Sequence, residues 1–294
     1  MIEVRALTKT YGNVRAVDSL SFSAPAGTVT GFLGPNGSGK TTTFRCLLGL
    51  AAPTSGAALV DGRAYRELSS PRRHVGAVLE STRFHPARTG RSHLRVIARA
   101  AGIDAGRIDP LLEFVGLARA ADRRVGGYSL GMRQRLGIAT AMLGDPEVVV
   151  LDEPANGLDP EGVAWVRQLL RVWADDGRTV VVSSHVLAEL AQVVDRVVII
   201  REGTLVAETD VADLTVDQVT VRVDRAEPML RALRAAGADH ELLADGAIAI
   251  TGRGRSEVGG IAARAGVTVT ELSRRSAAEM LEVVFLAATG GSGR

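Results

Sequence analysis

The chain has 294 residues, of which 46% are hydrophobic and 23% charged, and its formal net charge is +2. This composition is typical of a globular protein with room for one large and one small domain, and so small a charge gives no support to nucleic-acid binding. The single cysteine, Cys46, leaves no partner for an intrachain disulfide and fits a reducing compartment. No apolar run reaches the roughly 18 to 20 residues of a membrane-spanning helix, and the N-terminal residues lack the layout of a secretion signal.

The larger part of the chain has the pattern of an α/β domain with a parallel sheet. The first 33 residues predict β-structure, and strands alternate with helices from Gly34 onward. A mostly helical stretch is expected over 91–143, and a further helix over 160–174. LVD (59–61) and VGAVLE (75–80) are predicted strands. Short apolar runs of the kind found in strands buried on both faces are EVVVLDEP (147–154), RTVVVSSH (178–185) and RVVIIREG (196–203).

The composition changes near Thr209, and a second unit with its own order of elements follows. The pattern predicts strand, helix, strand, strand, helix, strand, which is the order of a ferredoxin-like fold, and then a last helix over 277–287. We therefore expect four regions. They are a larger domain (1–208), a linker (209–216), a small α+β domain (217–288) and a flexible tail (289–294).

A glycine-rich segment, GPNGSGKT (34–41), follows the apolar run TVTGFL and precedes a predicted helix. This is the G-x-x-x-x-G-K-[ST] pattern in its strand–loop–helix setting, where backbone N–H groups and a helix N-terminus surround a phosphate. Lys40 is expected to reach the β- and γ-phosphates, and the Thr41 hydroxyl to bind Mg²⁺. The alternative is a glycine-rich turn with an accidental lysine. The expected nucleotide-binding residues are Gly34, Pro35, Asn36, Gly37, Ser38, Gly39, Lys40, Thr41 and Thr42.

The run VVVLDEP (148–154) places two carboxylates at the end of a buried strand. Asp152 can hold the Mg²⁺ shell, and Glu153 can polarise a water molecule as a general base. Two acidic residues that only cap a strand are the alternative. That alternative would suffice for Asp152 alone but not for both residues in this setting.

A second helix start in the sequence is also built to receive an anion. In YSLGMRQRLGIA (128–139), Ser129 and Gly131 open a predicted helix long after the first phosphate loop. One chain would therefore carry two phosphate-facing helix starts.

These motifs together resemble those of the ATP-binding subunits of ABC transporters over about residues 1–208. GPNGSGKT is similar to the Walker A loop, YSLGM to the signature and VVVLDEP to Walker B. GLDP (157–160) resembles the D-loop, SSH the switch-histidine segment, and KTYG the segment with the adenine-stacking aromatic residue. The resemblance implies an ABC-type P-loop ATPase domain with a mixed or parallel core sheet, an antiparallel β subdomain and a helical subdomain.

The resemblance also implies roles for further residues and explains the second helix start. Family members dimerise head to tail, so that Ser129 and Gly131 would bind the γ-phosphate of an ATP held by the partner. His185 would contact the γ-phosphate, and Asp159 would communicate across the dimer. Tyr11 would stack on adenine, with an ordinary turn tyrosine as the alternative.

The sequence departs from the family pattern at two places. Glu80 stands where the family usually has glutamine, and its carboxylate could still bind Mg²⁺. The signature has Leu130 and Met132 where the family usually has glycine and glutamine. We expect these changes to affect coupling and turnover.

The resemblance implies an ATP-hydrolysing subunit that uses ATP and Mg²⁺ and powers a separately encoded integral-membrane permease. Residues 80–99 would form much of the docking surface, at the cytoplasmic face of the membrane. The expected direction is export of a drug, an antibiotic or another small hydrophobic compound, by a homodimer or a paired cassette and without nucleic acid. The alternatives are a non-transport ABC ATPase of DNA repair or translation, and a regulatory ATP-binding module with little turnover.

Overall fold

The structure of the chain is a computed structural model, which describes residues 1–79, 84–186, 190–214, 218–243, 245–274 and 280–281. The chain divides into two compact units, Met1–Thr209 and Asp210–Val284. Each unit has its own hydrophobic core. No helix in the described parts of the chain is long and apolar enough to cross a membrane.

The larger unit is built from two sheets. Its described strands are β1 (Ile2–Tyr11), β2 (Val14–Ala24), β3 (Val29–Leu33), β4 (Ser55–Val60), β5 (Val75–Val78), β6 (Val148–Asp152), β7 (Thr179–Ser184), β8 (Arg196–Arg201) and β9 (Thr204–Asp210). An antiparallel sheet has the order β2-β1-β4, and a six-stranded sheet has the order β5-β6-β7-β3-β8-β9. The expected antiparallel β layer and largely parallel core sheet are both confirmed.

The helices of the larger unit begin and end at recognisable signals. Those in the described residues are α1 (Lys40–Leu47), α2 (Pro71–His74), α3 (Gly90–Ala101), α4 (Ile108–Phe114), α5 (Leu130–Met142) and α6 (Pro160–Asp175). The stretch predicted as mostly helical, 91–143, is therefore three separate α-helices. Gly102 directly follows α3 and has a φ of 62°, and Gly116 lies two residues after α4 and has a φ of 73°. A positive φ of this kind ends a helix.

The parallel strands of the core sheet bring three loops to one edge. β6 pairs in parallel with β7, and β7 pairs in parallel with β3. All residues of these three strands are buried, as expected for strands covered on both faces. Because the carboxyl ends of parallel strands lie at the same edge of a sheet, the segments that follow β3, β6 and β7 meet there.

Three aromatic side chains connect the two sheets with α1. The ring centroids of Phe22 in β2 and Phe32 in β3 are 5.0 Å apart, and those of Phe32 and Phe44 in α1 are 5.4 Å apart. Phe32 and Phe44 are fully buried. This aromatic group packs the antiparallel sheet against the core sheet beneath α1.

The smaller unit has the predicted order of elements. Its described elements are β10 (Gln218–Val223), α7 (Ala226–Ala235), β11 (Asp239–Leu242), β12 (Ile248–Thr251), α8 (Arg255–Arg264) and β13 (Val269–Arg274). The strands form an antiparallel sheet in the order β11-β12-β10-β13, so the ferredoxin-like arrangement is confirmed. Apart from 280–281, the expected helix over 277–287 and the tail 289–294 lie outside the described residues.

Replacing Phe32 with alanine should destabilise the larger unit by about 3 to 5 kcal/mol, because a fully buried aromatic side chain is lost from the join between the sheets. Phe114→Ala is the matched control, since that side chain is 52% exposed, and its cost should stay below about 1 kcal/mol. Urea unfolding followed by fluorescence of Trp165 and Trp173 measures both. Equal midpoints for the two variants would contradict the role of the aromatic group.

Candidate nucleotide-binding site

The loop between β3 and α1 depends on glycine at two close backbone approaches. Gly39 precedes α1 with a φ of 105°, a conformation that favours glycine. A Cβ atom on Gly39 would lie 2.5 Å from the carbonyl oxygen of Ala16. A Cβ on Gly34 would lie 2.4 Å from the carbonyl oxygen of Ile200. Side chains at these two positions would therefore displace backbone and open the loop.

A cavity of about 370 Å³ lies over this loop and the first turn of α1. Ser38 Oγ is buried and makes no hydrogen bond to any described residue, and the first turn of α1 has no acidic side chain. A helix N-terminus with an uncommitted buried hydroxyl beside it fits an anion such as a phosphate. The cavity is lined by Ala16, Asn36, Gly37, Ser38, Gly39, Lys40, Thr41, Thr42, Glu153, Asn156 and His185.

Lys40 is held over the loop by backbone carbonyl groups. Its Nζ donates hydrogen bonds to the carbonyl oxygens of Gly34, at 2.7 Å, and of Pro35, at 3.2 Å. The same Nζ lies 3.4 Å from Glu153 Oε1, and both side chains are more than 90% buried. The ammonium group is thus fixed at the cavity, where it can attract the charge of a phosphate.

Thr41 and Asp152 bring two oxygen atoms together at the start of α1. The Thr41 hydroxyl donates a hydrogen bond of 2.7 Å to Asp152 Oδ2. Asp152 is the last residue of β6 and is buried. A hydroxyl and a carboxylate are ligands that suit Mg²⁺, so this donor set fits the metal.

Glu153 follows β6 in an uncommon backbone conformation. Its φ is 52°, in the left-handed region that a residue with a side chain seldom adopts. Its Oε2 lies 2.8 Å from His185 Nδ1, on the segment after β7, and its Oε1 faces Lys40. The carboxylate is therefore held between a lysine and a histidine at the cavity.

Ser183 is a site residue to which the sequence pattern alone assigned no role. Its hydroxyl donates to Asp152 Oδ1 at 2.7 Å and accepts the backbone N–H of Glu153 at 2.9 Å. It is fully buried. The available signal was a serine at the end of the apolar run VVVSS, where a hydroxyl without partners would be costly.

Tyr11 lies at the end of β1 and is 46% exposed. Lys9 Nζ lies 4.8 Å from the centroid of its ring. Tyr11 is not among the residues that line the 370 Å³ cavity. Its stacking on adenine therefore stays a prediction.

Ser129, Gly131 and Met132 of the signature line a second cavity of about 210 Å³ with Asp159, and this cavity shares no lining residue with the first. Ser129 Oγ accepts the N–H of Met132 and caps α5, while Asp159 Oδ1 accepts the N–H of Gly162 and caps α6. Ser129, Gly131 and Asp159 are thus brought together, but not with Lys40. The predicted site residues of one chain fall into two groups.

Leu130, where the family has glycine, contacts the D-loop segment of its own chain. A Cβ atom on Gly157, which has a φ of 71°, would lie 2.6 Å from Leu130 Cδ2. Leu130 is nevertheless 47% exposed. The Leu130 side chain therefore fits only because Gly157 has no side chain.

Comparisons with known proteins agree with this arrangement. The ABC transporter family matches residues 17–156, and a domain of unknown function (DUF8746) matches residues 217–278. The bacitracin transport ATP-binding protein BcrA of Bacillus licheniformis is 44% identical over 211 residues, covering 71% of this chain and 69% of that protein. The chain belongs to the ATP-binding subunits of ABC transporters.

Two further proteins show how widely this similarity extends. The Nod factor export ATP-binding protein I of Burkholderia orbicola (strain AU 1054) is 40% identical over 212 residues and covers 70% of each chain. The solved structure of an ATP-binding subunit of an ABC transporter superposes with a TM-score of 0.66 at 28% identity, covering 73% of this chain and 91% of that one.

The chain is therefore an ABC-type ATPase whose nucleotide is ATP. The family match covers the Walker A loop, β6 and the signature, and it ends at Asn156. Glu80, the position at which this sequence departs from the family glutamine, lies outside the described residues.

Replacing Gly39 with alanine should lower the affinity for ATP by about tenfold or more, equivalent to about 1.4 kcal/mol, because the new Cβ would push against the Ala16 carbonyl. Gly177→Ala is the matched control. Gly177 also has a positive φ, of 85°, but an added Cβ would meet no atom within 4 Å. Titration with a fluorescent ATP analogue measures both affinities. Equal losses would show that φ strain, and not the shape of the loop, is responsible.

Proposed function

We propose that the chain hydrolyses Mg-ATP in the cavity over the Walker A loop, with Glu153 as the general base. The observation that carries this proposal is the position of its carboxylate, with Oε1 3.4 Å from Lys40 Nζ and Oε2 2.8 Å from His185 Nδ1. Glu153 would take a proton from a water molecule as the water oxygen bonds to the γ-phosphorus. The bond from that phosphorus to the bridging oxygen breaks, and its electrons leave with ADP.

Thr41 and Asp152 are the residues that would hold Mg²⁺. Their oxygen atoms already share a hydrogen bond of 2.7 Å. Bound Mg²⁺ offsets the negative charge of the phosphate oxygens. Glu80 as a further ligand stays a prediction.

His185 is proposed to hold Glu153 and to reach the γ-phosphate. An ionised carboxylate only accepts hydrogen bonds, so Nδ1 must carry the proton in its contact with Glu153. A hydrogen bond from Nε2 to a phosphate oxygen would then require the imidazolium, with protons on both nitrogens. His185 would in that form link the base to the group under attack.

The second cavity is proposed to bind the γ-phosphate of an ATP carried by another copy of the chain or by a paired cassette. Ser129 Oγ accepts a hydrogen bond from Met132, which leaves its proton to donate to a phosphate oxygen. Gly131 and the start of α5 add the N-terminus of a 13-residue helix. Asp159 lines the same cavity and would act across this interface.

The ATPase is proposed to power a separate integral-membrane permease from the cytoplasmic face of the membrane and to export an antibiotic, a drug or another small hydrophobic compound. The support comes from the relatives, one assigned to bacitracin transport and one to Nod factor export. The alternatives are an ABC ATPase without a transport role and a regulatory module with little turnover. Hydrolysis by the isolated chain would argue against the regulatory module.

The two units are proposed to have different roles. Residues 1–208 would carry the ATPase, and residues 209–216 would link it to the small domain. Residues 217–288 would regulate the ATPase or stabilise its dimer, and the match to a domain of unknown function leaves both roles open.

Glu153→Gln should lower the turnover of ATP by about 10² to 10⁴, the usual contribution of a general base, while ATP binding is retained. Glu202→Gln is the matched control, because Glu202 has a similar φ of 50° but an exposed side chain. Phosphate release under saturating Mg-ATP measures turnover. A Glu153→Gln chain as active as the Glu202→Gln chain would rule out Glu153 as the base.

The Glu153→Gln chain should also change from monomer to dimer when Mg-ATP is added, because ATP would remain between the copies. Adding Ser129→Arg should prevent this change without weakening ATP binding, since the arginine would block the second cavity and leave the first intact. Ser256→Arg, at an exposed position of α8, is the control. Light scattering gives the mass. A Ser129→Arg chain that loses ATP binding as a monomer would place the signature in its own chain's site.

A further inference from the structure

We propose that Ser183 is a positioning residue for ATP hydrolysis, whose hydroxyl fixes both carboxylates of Walker B. The inference rests on the proposed role of Glu153 as the base. Ser183 lies beside Asp152 in the parallel pairing of β6 and β7, and its side chain is fully buried. It does not line the nucleotide cavity, so it acts through its neighbours.

The two hydrogen bonds of Ser183 use its hydroxyl in both directions. Its proton goes to Asp152 Oδ1, 2.7 Å away, because an ionised carboxylate only accepts. Its oxygen accepts the backbone N–H of Glu153 at 2.9 Å. A hydroxyl can make both bonds from one atom because it donates and accepts, and an apolar residue of similar size can make neither.

The bond to the Glu153 amide supports a backbone conformation that is costly in itself. A residue other than glycine at a φ of 52° is in a strained backbone conformation that needs surrounding contacts to persist. Without the Ser183 bond, the amide would be buried without this acceptor, and Glu153 could relax to a more common φ. The carboxylate would then move away from Lys40 and His185, which now lie on either side of it.

The bond to Asp152 supports the expected Mg²⁺ ligand. Asp152 has Oδ2 on the Thr41 hydroxyl and Oδ1 on the Ser183 hydroxyl. Two hydrogen bonds to opposite oxygens fix the rotation of the carboxylate. Ser183 thus orients the two adjacent acids of Walker B from one atom.

The test compares Ser183→Ala and Ser183→Thr with the unaltered full-length chain. Thr30→Val is the matched control, because Thr30 Oγ1 is also buried in the core sheet but has no hydrogen-bond partner among the described residues. Turnover, the Michaelis constant, thermal unfolding and the affinity for ATP with and without Mg²⁺ are measured for each chain.

Ser183→Ala should lose about ten- to a hundredfold in turnover, the cost of a displaced catalytic group, and keep its affinity for ATP without Mg²⁺. Its gain in ATP affinity on addition of Mg²⁺ should be smaller than that of the unaltered chain, because Asp152 is no longer oriented. Ser183→Thr retains the hydroxyl and should recover turnover, and Thr30→Val should match the unaltered chain throughout.

Turnover of folded Ser183→Ala equal to that of Thr30→Val would overturn the proposal. So would parallel losses of turnover, metal-free ATP affinity and thermal stability that threonine does not restore, because these indicate a purely structural role. If the alanine chain does not fold, Ser183→Cys replaces it. Its thiol is a weak hydrogen-bond donor and acceptor, so turnover should fall, and unchanged turnover would overturn the proposal.

Glu153→Gln measured in the same assay distinguishes a failure of the proposed role of Glu153 from a failure of the proposed role of Ser183. If that chain still hydrolyses ATP, the proposed role of Glu153 is wrong, whatever Ser183 does. If it is inactive while Ser183→Ala is fully active, Glu153 keeps its role and only the inference about Ser183 fails.

Discussion

Two adjacent carboxylates at the buried end of β6 impose the main physical constraint on the larger unit. Moving an ionised carboxylate out of water costs several kcal/mol unless charges and hydrogen bonds compensate it. Here Asp152 receives the hydroxyls of Thr41 and Ser183, and Glu153 receives the side chains of Lys40 and His185. These groups come from two segments, the Walker A loop with the start of α1 and the end of β7, so the two segments are held together by the acids they surround.

The order of the core sheet makes this compensation possible. β7 lies between β6 and β3, and all three run in parallel. The loop after β3 therefore brings Lys40 and Thr41 to the same edge as the acids that end β6, and β7 brings Ser183 and His185. Residues more than 100 positions apart in the chain become neighbours because of strand order alone.

Features with a local sequence pattern could be predicted, and features that depend on strand register or packing could not. The Walker A loop and the acids of β6 have fixed short spacings, and each strand and helix of the smaller unit has its own periodicity. The bonds of Ser183 depend on the register between β6 and β7, which no spacing within one motif reveals. The contact of Leu130, at the start of α5, with Gly157 likewise depends on an approach that is set by tertiary structure. The mostly helical stretch expected over 91–143 contains three helices, and Gly102 and Gly116 lie where the first two end.

The two cavities differ in what they can do with a phosphate. Both have a serine and a helix N-terminus, Ser38 beside α1 and Ser129 at α5, and so both can bind an anion. In the first, Lys40 and the buried carboxylate of Glu153 face each other, whereas the second is lined by Arg135, Asp159 and Glu161. If the second cavity of one copy binds the nucleotide of another, cleavage of that phosphate removes the ligand that joins them, and the chemistry of one site then drives the separation of two chains.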